Sequence, residues 1–315
     1  MPSHHRLQST PENVAWGFLD AALPPVLSVD SGDTVTVEAV SASDWTEAPA
    51  DRARVLPDHL KILETVPRGP GPHIVTGPVE VRGAKVGDVL QIDVLDVSLR
   101  QDWGYCAIKP LMGTIPDEFP ERETVVIDID MAKKVAKLPW GIDLPLAPFF
   151  GIIAVAPPRS WGRQTSVVPR AFGGNMDNKS LGAGTTLYLP VFNDGALFWA
   201  GDGHGVQGDG EVCLTALETA LAGTFRLTVR KDMQLAGPFA ETADHLISIG
   251  IDEDLDDAAR KAVSNMVRAV CERSNLSRSQ AYMLCSLAGD LKVTQTVDVH
   301  KGVHMVLPKA TFTGA

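Results

Sequence analysis

Val35-Thr36-Val37-Glu38-Ala39-Val40 and Val89-Leu90-Gln91-Ile92-Asp93-Val94 decide the fold class. In both runs apolar residues alternate with polar or small ones. Period two is the pattern of a strand with one buried face. Each run follows a Gly-Asp turn, Ser31-Gly32-Asp33 in one case and Val86-Gly87-Asp88 in the other. Such turns are common strand openings, so the likeness reads first as turn chemistry and only second as an internal repeat. Similar short runs follow at 125–129, 152–156, 186–191, 196–200, 212–217 and 225–229. The chain's 28 Gly and 22 Pro separate them. Residues 101–123 and 157–185 read as long irregular connections, a length that in a compact domain points to function or disorder. The expected fold is mainly β, a sandwich or barrel-like body, with an α+β C-terminal portion.

That C-terminal change begins near residue 250. Asp252 to Asp257 is an acidic helix start, and Ala258, Ala262, Val263, Met266, Val267 and Val270 recur at helical spacing. Ser277 with Gln280 three residues on is a capping-box signature for a second helix, closed near Gly289. Leu291 to Val299 returns to alternation. The domain reading is therefore a mainly β catalytic body over 1–250 and an α+β portion over 251–315, packed together without a linker.

The 315 residues are 44% hydrophobic and 21% charged, which excludes wholesale disorder. The formal charge of −11 argues against nucleic-acid binding, which calls for a basic surface. No apolar run approaches the length of a membrane span, and no leader-like apolar segment follows the N-terminal Met-Pro-Ser-His-His-Arg. The expected setting is cytoplasmic. Cys106, Cys213, Cys271 and Cys285 form no CxxC pair, so free thiols are expected rather than a disulfide scaffold or a zinc ribbon. His4 and His5 read as solvated residues near an end.

Chemistry-bearing residues concentrate in two segments, Gly173-Gly174-Asn175-Met176-Asp177-Asn178-Lys179 and Gly201-Asp202-Gly203-His204-Gly205-Val206-Gln207-Gly208-Asp209-Gly210-Glu211. In an extended chain Asp202 and His204 share one face, as do Asp209 and Glu211. Asp, Glu and His suit zinc or a similar ion, and the carboxylates also suit calcium. Spacing alone leaves an ordinary acidic turn equally open.

Together these segments resemble the acetamidase/formamidase family. Thr186-Leu187-Tyr188-Leu189-Pro190-Val191-Phe192, Gly195-Ala196-Leu197-Phe198 and Ser286-Leu287-Ala288-Gly289-Asp290-Leu291 extend the resemblance, as do Gly77-Pro78-Val79-Glu80-Val81 and the loop Pro110 to Phe119. The resemblance implies metal-dependent hydrolysis of short linear amides, with a divalent cofactor, zinc first and calcium second, while the exposed strand edges of a mainly β body point to a homo-oligomer. It implies Asp177, Asp202, His204 and Glu211 as metal ligands, with Glu211 alternatively the proton shuttle and Glu218 a second candidate for that role. Asn175 would hold the substrate carbonyl. Gln207, His73 and Trp103 are candidate substrate contacts, and Asp209 a candidate to orient His204. The family usually carries larger residues than Gly203 and Gly205 and commonly an acid at Ser180, so a looser ligand-bearing strand or a wider pocket is expected here. A metal hydrolase of bulkier or cyclic amides is the next reading, and a non-catalytic β-sandwich with structural calcium the third. The GxSxG elbow and the Ser-Ser-Lys arrangement of serine amidases are both missing from the sequence.

Overall fold

A computed structural model describes residues 2–312. Among them two large sheets pack face to face. The nine-stranded sheet holds His4–Leu7, Thr34–Ala39, Leu221–Arg230, Val89–Leu99, Thr186–Pro190, Phe239–Glu241, His245–Asp252, Lys301–Pro308 and Asp290–Gln295, in that order. The eleven-stranded sheet includes Ile74–Val81, Trp103–Ile108, Phe149–Val155, Gly173–Asn175, Phe198–His204 and Glu218–Thr219. The fold is therefore mainly β.

The alternating runs explain the packing. Val35, Val37, Leu90 and Ile92 turn inward and are fully buried, while residues between them reach the other face. Phe225 from the first sheet meets Phe150 and Phe198 from the second edge-on, with ring centroids 5.4 and 5.3 Å apart. Burial of one such side chain stabilises by about 1.5–3 kcal/mol, and the edge-on geometry is the one aromatic quadrupoles favour. Gly32 and Gly87 both have positive φ, 96° and 94°, so both lead-in turns need glycine for conformational reasons. The strands they open lie on either side of Leu221–Arg230.

The C-terminal portion completes the same sheet. Helix α1 (Pro57–Thr65) lies near the N-terminal strands, and α2 (Leu255–Arg273) and α3 (Arg278–Ala288) follow His245–Asp252. Asp254 caps α2 by accepting from the Asp256 and Asp257 amides, and the Ser277–Gln280 capping box of α3 is formed on both sides. Gly250 lets α2 approach the sheet, since a Cβ there would collide with the α2 backbone at Ala258 and Ala262.

Four expectations are corrected. Residues 212–217 are not a strand, because Gly210, Glu211 and Leu214 have φ of 100°, 45° and 105° and turn the chain repeatedly. Glu218 thus stands on a separate short strand, not on a continuation from Glu211. The stretch 101–123 contains a buried strand, Trp103–Ile108, paired with Glu123–Asp130. His4 and His5 lie in a strand parallel to Thr34–Val37, and His5 Nε2 lies 3.1 Å from Asp33.

Buried His59 of α1 sets an acid limit on stability. Its Nε2–H donates to the Ser43 carbonyl at 2.9 Å, and burial pushes its pKa down to about 4. Unfolded, the same imidazole titrates near ~6.5. Below that value the unfolded chain binds the extra proton, so this residue's contribution turns unfavourable as pH falls and levels off below about 4. Replacing His59 by Gln is therefore expected to cost stability at pH 7.5 and to cost about 2–3 kcal/mol less at pH 4.5. Urea midpoints of both proteins at both pH values measure this. A cost independent of pH would contradict it.

Candidate metal and active site

The eleven-stranded sheet builds the site from neighbouring strands. Asp202 and His204 lie two apart on Phe198–His204 and project to one face. Phe149–Val155 runs antiparallel beside them, with Phe150 opposite Gly203 and Ile152 opposite Gly201. Gly173–Asn175 pairs with the far side of that strand, Asn175 opposite Ile152. Just beyond it, Met176 and Asp177 donate their amides to the Gly151 carbonyl at 3.0 and 3.2 Å. That hold, with φ of 46° at Asp177, turns its carboxylate toward His204. Glu218 lies across from His204 in the ladder and from Tyr105 on its other side.

Gly151 occupies the centre of this arrangement. A Cβ there would collide with Asp177 Oδ1 and Asp202 Oδ2 and come within 2.8 Å of His204 Cε1. Only glycine leaves the carboxylates and the ring this close together.

His204 Nε2 lies 3.2 Å from Asp202 Oδ2, 3.3 Å from Glu218 Oε1 and 3.7 Å from Asp177 Oδ1. Its other nitrogen is committed. Gln207 Nε2 donates to the Asp177 carbonyl at 2.7 Å, which makes Gln207 Oε1 the acceptor facing His204 Nδ1 at 2.9 Å. The Nδ1–H therefore points at Gln207, and a neutral ring presents the Nε2 lone pair to the carboxylates. Phe149 packs edge-on against the ring at 5.0 Å.

Five carboxyl groups, Asp177, Asp202, Glu211, Glu218 and Asp298, are buried here with His204. Burial, then the neighbouring acids, pushes Asp177 and Glu211 far above the usual carboxylate range. Burial does the same to Glu218, against the pull of His204. Burial raises Asp298 to about 7. Burial also works against Asp202, but His73 and His204 hold it below its ordinary value. Burial opposes charge on His204, yet Glu218, Asp202 and Asp177 push it up to about 10. So much like charge in one dry place is costly without a cation.

The donor chemistry fits such a cation. Asp177, His204 and Glu211 place one ligand atom each within 4.8 Å of one another, and so do Asp202, His204 and Glu218. Asp177 Oδ1, Glu211 Oε2 and Glu218 Oε2 are buried without a hydrogen-bond partner. Oxygen and imidazole donors of this kind suit zinc, and the carboxylate excess also suits calcium.

The site opens into a cavity of about 340 Å³, lined also by His73, Tyr105, Lys109 and Asn175. His73 bonds Ser166 Oγ through Nδ1 at 2.9 Å and so faces the cavity in a fixed orientation. Asn175 Oδ1 is buried and unpartnered. Trp103 does not reach the cavity: it is wholly buried and donates its indole N–H to the Arg54 carbonyl at 3.0 Å. Gln207 is engaged by His204 and Asp177, which gives it the orienting part expected of Asp209. Asp209 instead pairs with Lys179 at 3.0 Å. Gly203 does not widen the pocket, since a Cβ there would press on Thr219 O at 2.5 Å and Leu221 Cγ at 2.7 Å. Sequence reading missed Asp298 and Gly151. Asp298 is brought in by the turn between Asp290–Gln295 and Lys301–Pro308, where its amide donates to Gln295 Oε1 at 3.1 Å.

The profile described as the Acetamidase/Formamidase family matches residues 18–166 and 159–314. The crystal structure of an acetamidase from Bacillus halodurans superposes with a TM-score of 0.81 at 33% identity, covering 96% of this chain and 97% of that one. An acetamidase of Mycolicibacterium smegmatis is 23% identical over 66% of this chain and 63% of its own length. A formamidase of Methylophilus methylotrophus is 27% identical over 60% of this chain and 57% of its own. The match thus spans less than two thirds of the length of these two relatives.

Proposed function

The chain belongs to the acetamidase/formamidase family, and from that premise we propose that it hydrolyses the C–N bond of short linear amides. Formamide- or acetamide-like substrates would yield ammonia and a carboxylate, with a divalent ion, zinc before calcium, in the site. One observation carries this reading. His204 offers Nε2 to a ring of carboxylates while Gln207 fixes Nδ1, beside a cavity of about 340 Å³.

Asp177, Asp202 and His204 would hold the ion, with Glu211 and Glu218 on either side. A divalent ion so held supplies an activated water near neutral pH and polarises a carbonyl. The protein's own groups do the rest. Asn175 lines the cavity with Oδ1 unpartnered, an acceptor that would take the N–H of the substrate amide rather than its carbonyl. Gln207 keeps the imidazole in one tautomer. The carboxyl that does not hold the ion lies within the same buried cluster, and would pass a proton to the departing nitrogen. His73 and Tyr105 bound the substrate space.

The two glutamates can be told apart. Glu211→Gln and Glu218→Gln are each expected to lose more than about 100-fold in kcat, the scale of general acid–base catalysis. The ligand variant also loses bound metal, whereas the proton-carrying variant retains it and loses the pH dependence of kcat. Metal content and a pH–rate profile on each variant measure this. If both kept full turnover, neither would belong to the chemistry. Ammonia release from a panel of linear, bulky and cyclic amides tests the substrate class. Turnover confined to bulky or cyclic amides would replace the short-amide reading.

A further inference from the structure

Cys106 and Cys213 lie far apart in sequence, yet their sulfurs are 3.5 Å apart. Both thiols donate toward one acceptor, the Thr215 carbonyl, at 3.9 and 3.6 Å. Thr215 Oγ1 in turn donates to Cys106 Sγ at 3.4 Å and accepts the Ala107 amide at 2.9 Å. The pair is partly buried rather than sealed, and lines an apolar cleft of about 280 Å³ with Trp140, Leu144 and Val206. Glu211 and Thr215 line both this cleft and the catalytic cavity, so one loop forms the wall between them.

We propose that Cys106 and Cys213 form an oxidisable dithiol site for a small aliphatic disulfide, and that its closure acts on the Glu211 loop. In the first step one thiolate bonds to a sulfur of the reagent disulfide, whose S–S bond breaks and releases one thiol. The second cysteine then bonds to the first, releasing the other thiol. Two electrons pass from the protein pair to the reagent, and the two cysteine protons end on the two released thiols.

The sulfurs must close from 3.5 Å to about 2.05 Å. Cys106 lies in a strand whose register is fixed by Val125 and whose neighbour Tyr105 pairs with Glu218. The moving part is therefore the loop bearing Cys213, two residues beyond Glu211. That loop already has φ of 45° at Glu211, whose carbonyl accepts the Leu214 amide at 3.0 Å. A displacement of about 1 Å near reacting groups can cost on the order of 100-fold in rate.

The experiment treats the metal-loaded full chain with oxidised glutathione, then alkylates free thiols and maps peptides by mass. The expected product has Cys106 linked to Cys213, with Cys271 and Cys285 still alkylated. Ammonia release falls at least tenfold and dithiothreitol restores it. Cys106→Ser and Cys213→Ser each keep turnover and lose the response. Free, alkylated Cys106 and Cys213 after treatment would overturn the site. A linked pair with unchanged turnover would overturn its action on Glu211. The kinetic half rests on the amidase reading, but the peptide map does not, so the two can fail separately.

Discussion

His204→Ala is expected to lose both the bound divalent ion and amide turnover. The ring is the shared member of both groups of candidate ligands. Gln207 fixes its orientation by a hydrogen bond to Nδ1, so Nε2 stays aimed at the carboxylates. Removing a group one step behind a ligand commonly costs 10–100-fold in affinity or activity. Removing the ligand itself is expected to exceed about 100-fold in kcat/KM. Alanine also leaves Asp202 and Glu218 facing one another without the partner now 3.2 and 3.3 Å away. Their mutual repulsion then favours uptake of protons over uptake of an ion. Metal content by elemental analysis, beside kcat/KM, tests this directly. A variant that kept both would remove His204 from the centre of the account.

Gly151→Ala is expected to have an effect of similar size from a single methyl group. The added Cβ would occupy the space now filled by Asp177 Oδ1 and Asp202 Oδ2, and would lie 2.8 Å from His204 Cε1. The backbone at Gly151 is ordinary strand, so the substitution does not demand a forbidden conformation. The cost falls on the side chains. Either the carboxylates rotate away or the strand shifts outward, and in both cases the ligand atoms separate. A shift of about 1 Å at such a place is expected to lower turnover on the order of 100-fold. The atoms a Cβ would meet first belong to Asp177, Asp202 and His204 rather than to the aromatic core, so a folded protein is expected. Circular dichroism and metal content separate the two effects. Full metal affinity and turnover in Gly151→Ala would show that the close approach is not needed.

How much of this was legible in the sequence follows from the range of the forces involved. Alternation is local, so 35–40 and 89–94 read correctly as strands, and the acid-capped α2 and the capping box of α3 are equally local signals. Asp202 and His204 could be placed on one face because the strand period is two. Convergence of Asp177 with them is a matter of strand order, which spacing does not encode. Family resemblance supplied that expectation. Asp298 carried no signal: it sits in an alternating stretch and reaches the site only because a hairpin of the C-terminal portion turns there. Gly151 lies in an apolar run, Phe149-Phe150-Gly151-Ile152, and its need becomes visible only when register sets it against the acids. The run 212–217 alternates like a strand, but positive φ at 210, 211 and 214 makes it the loop that aims Glu211. Trp103 reads as a loop aromatic until its strand is seen, and then its indole belongs to the core.

The most direct test of metal-dependent amide hydrolysis at this site is ammonia release from formamide and acetamide by enzyme stripped with a chelator and then titrated with zinc or calcium. The account predicts no turnover in the stripped enzyme and a rate that rises in proportion to bound ion, in the parent protein but not in His204→Ala. Turnover by the stripped enzyme equal to that of the loaded one would contradict it.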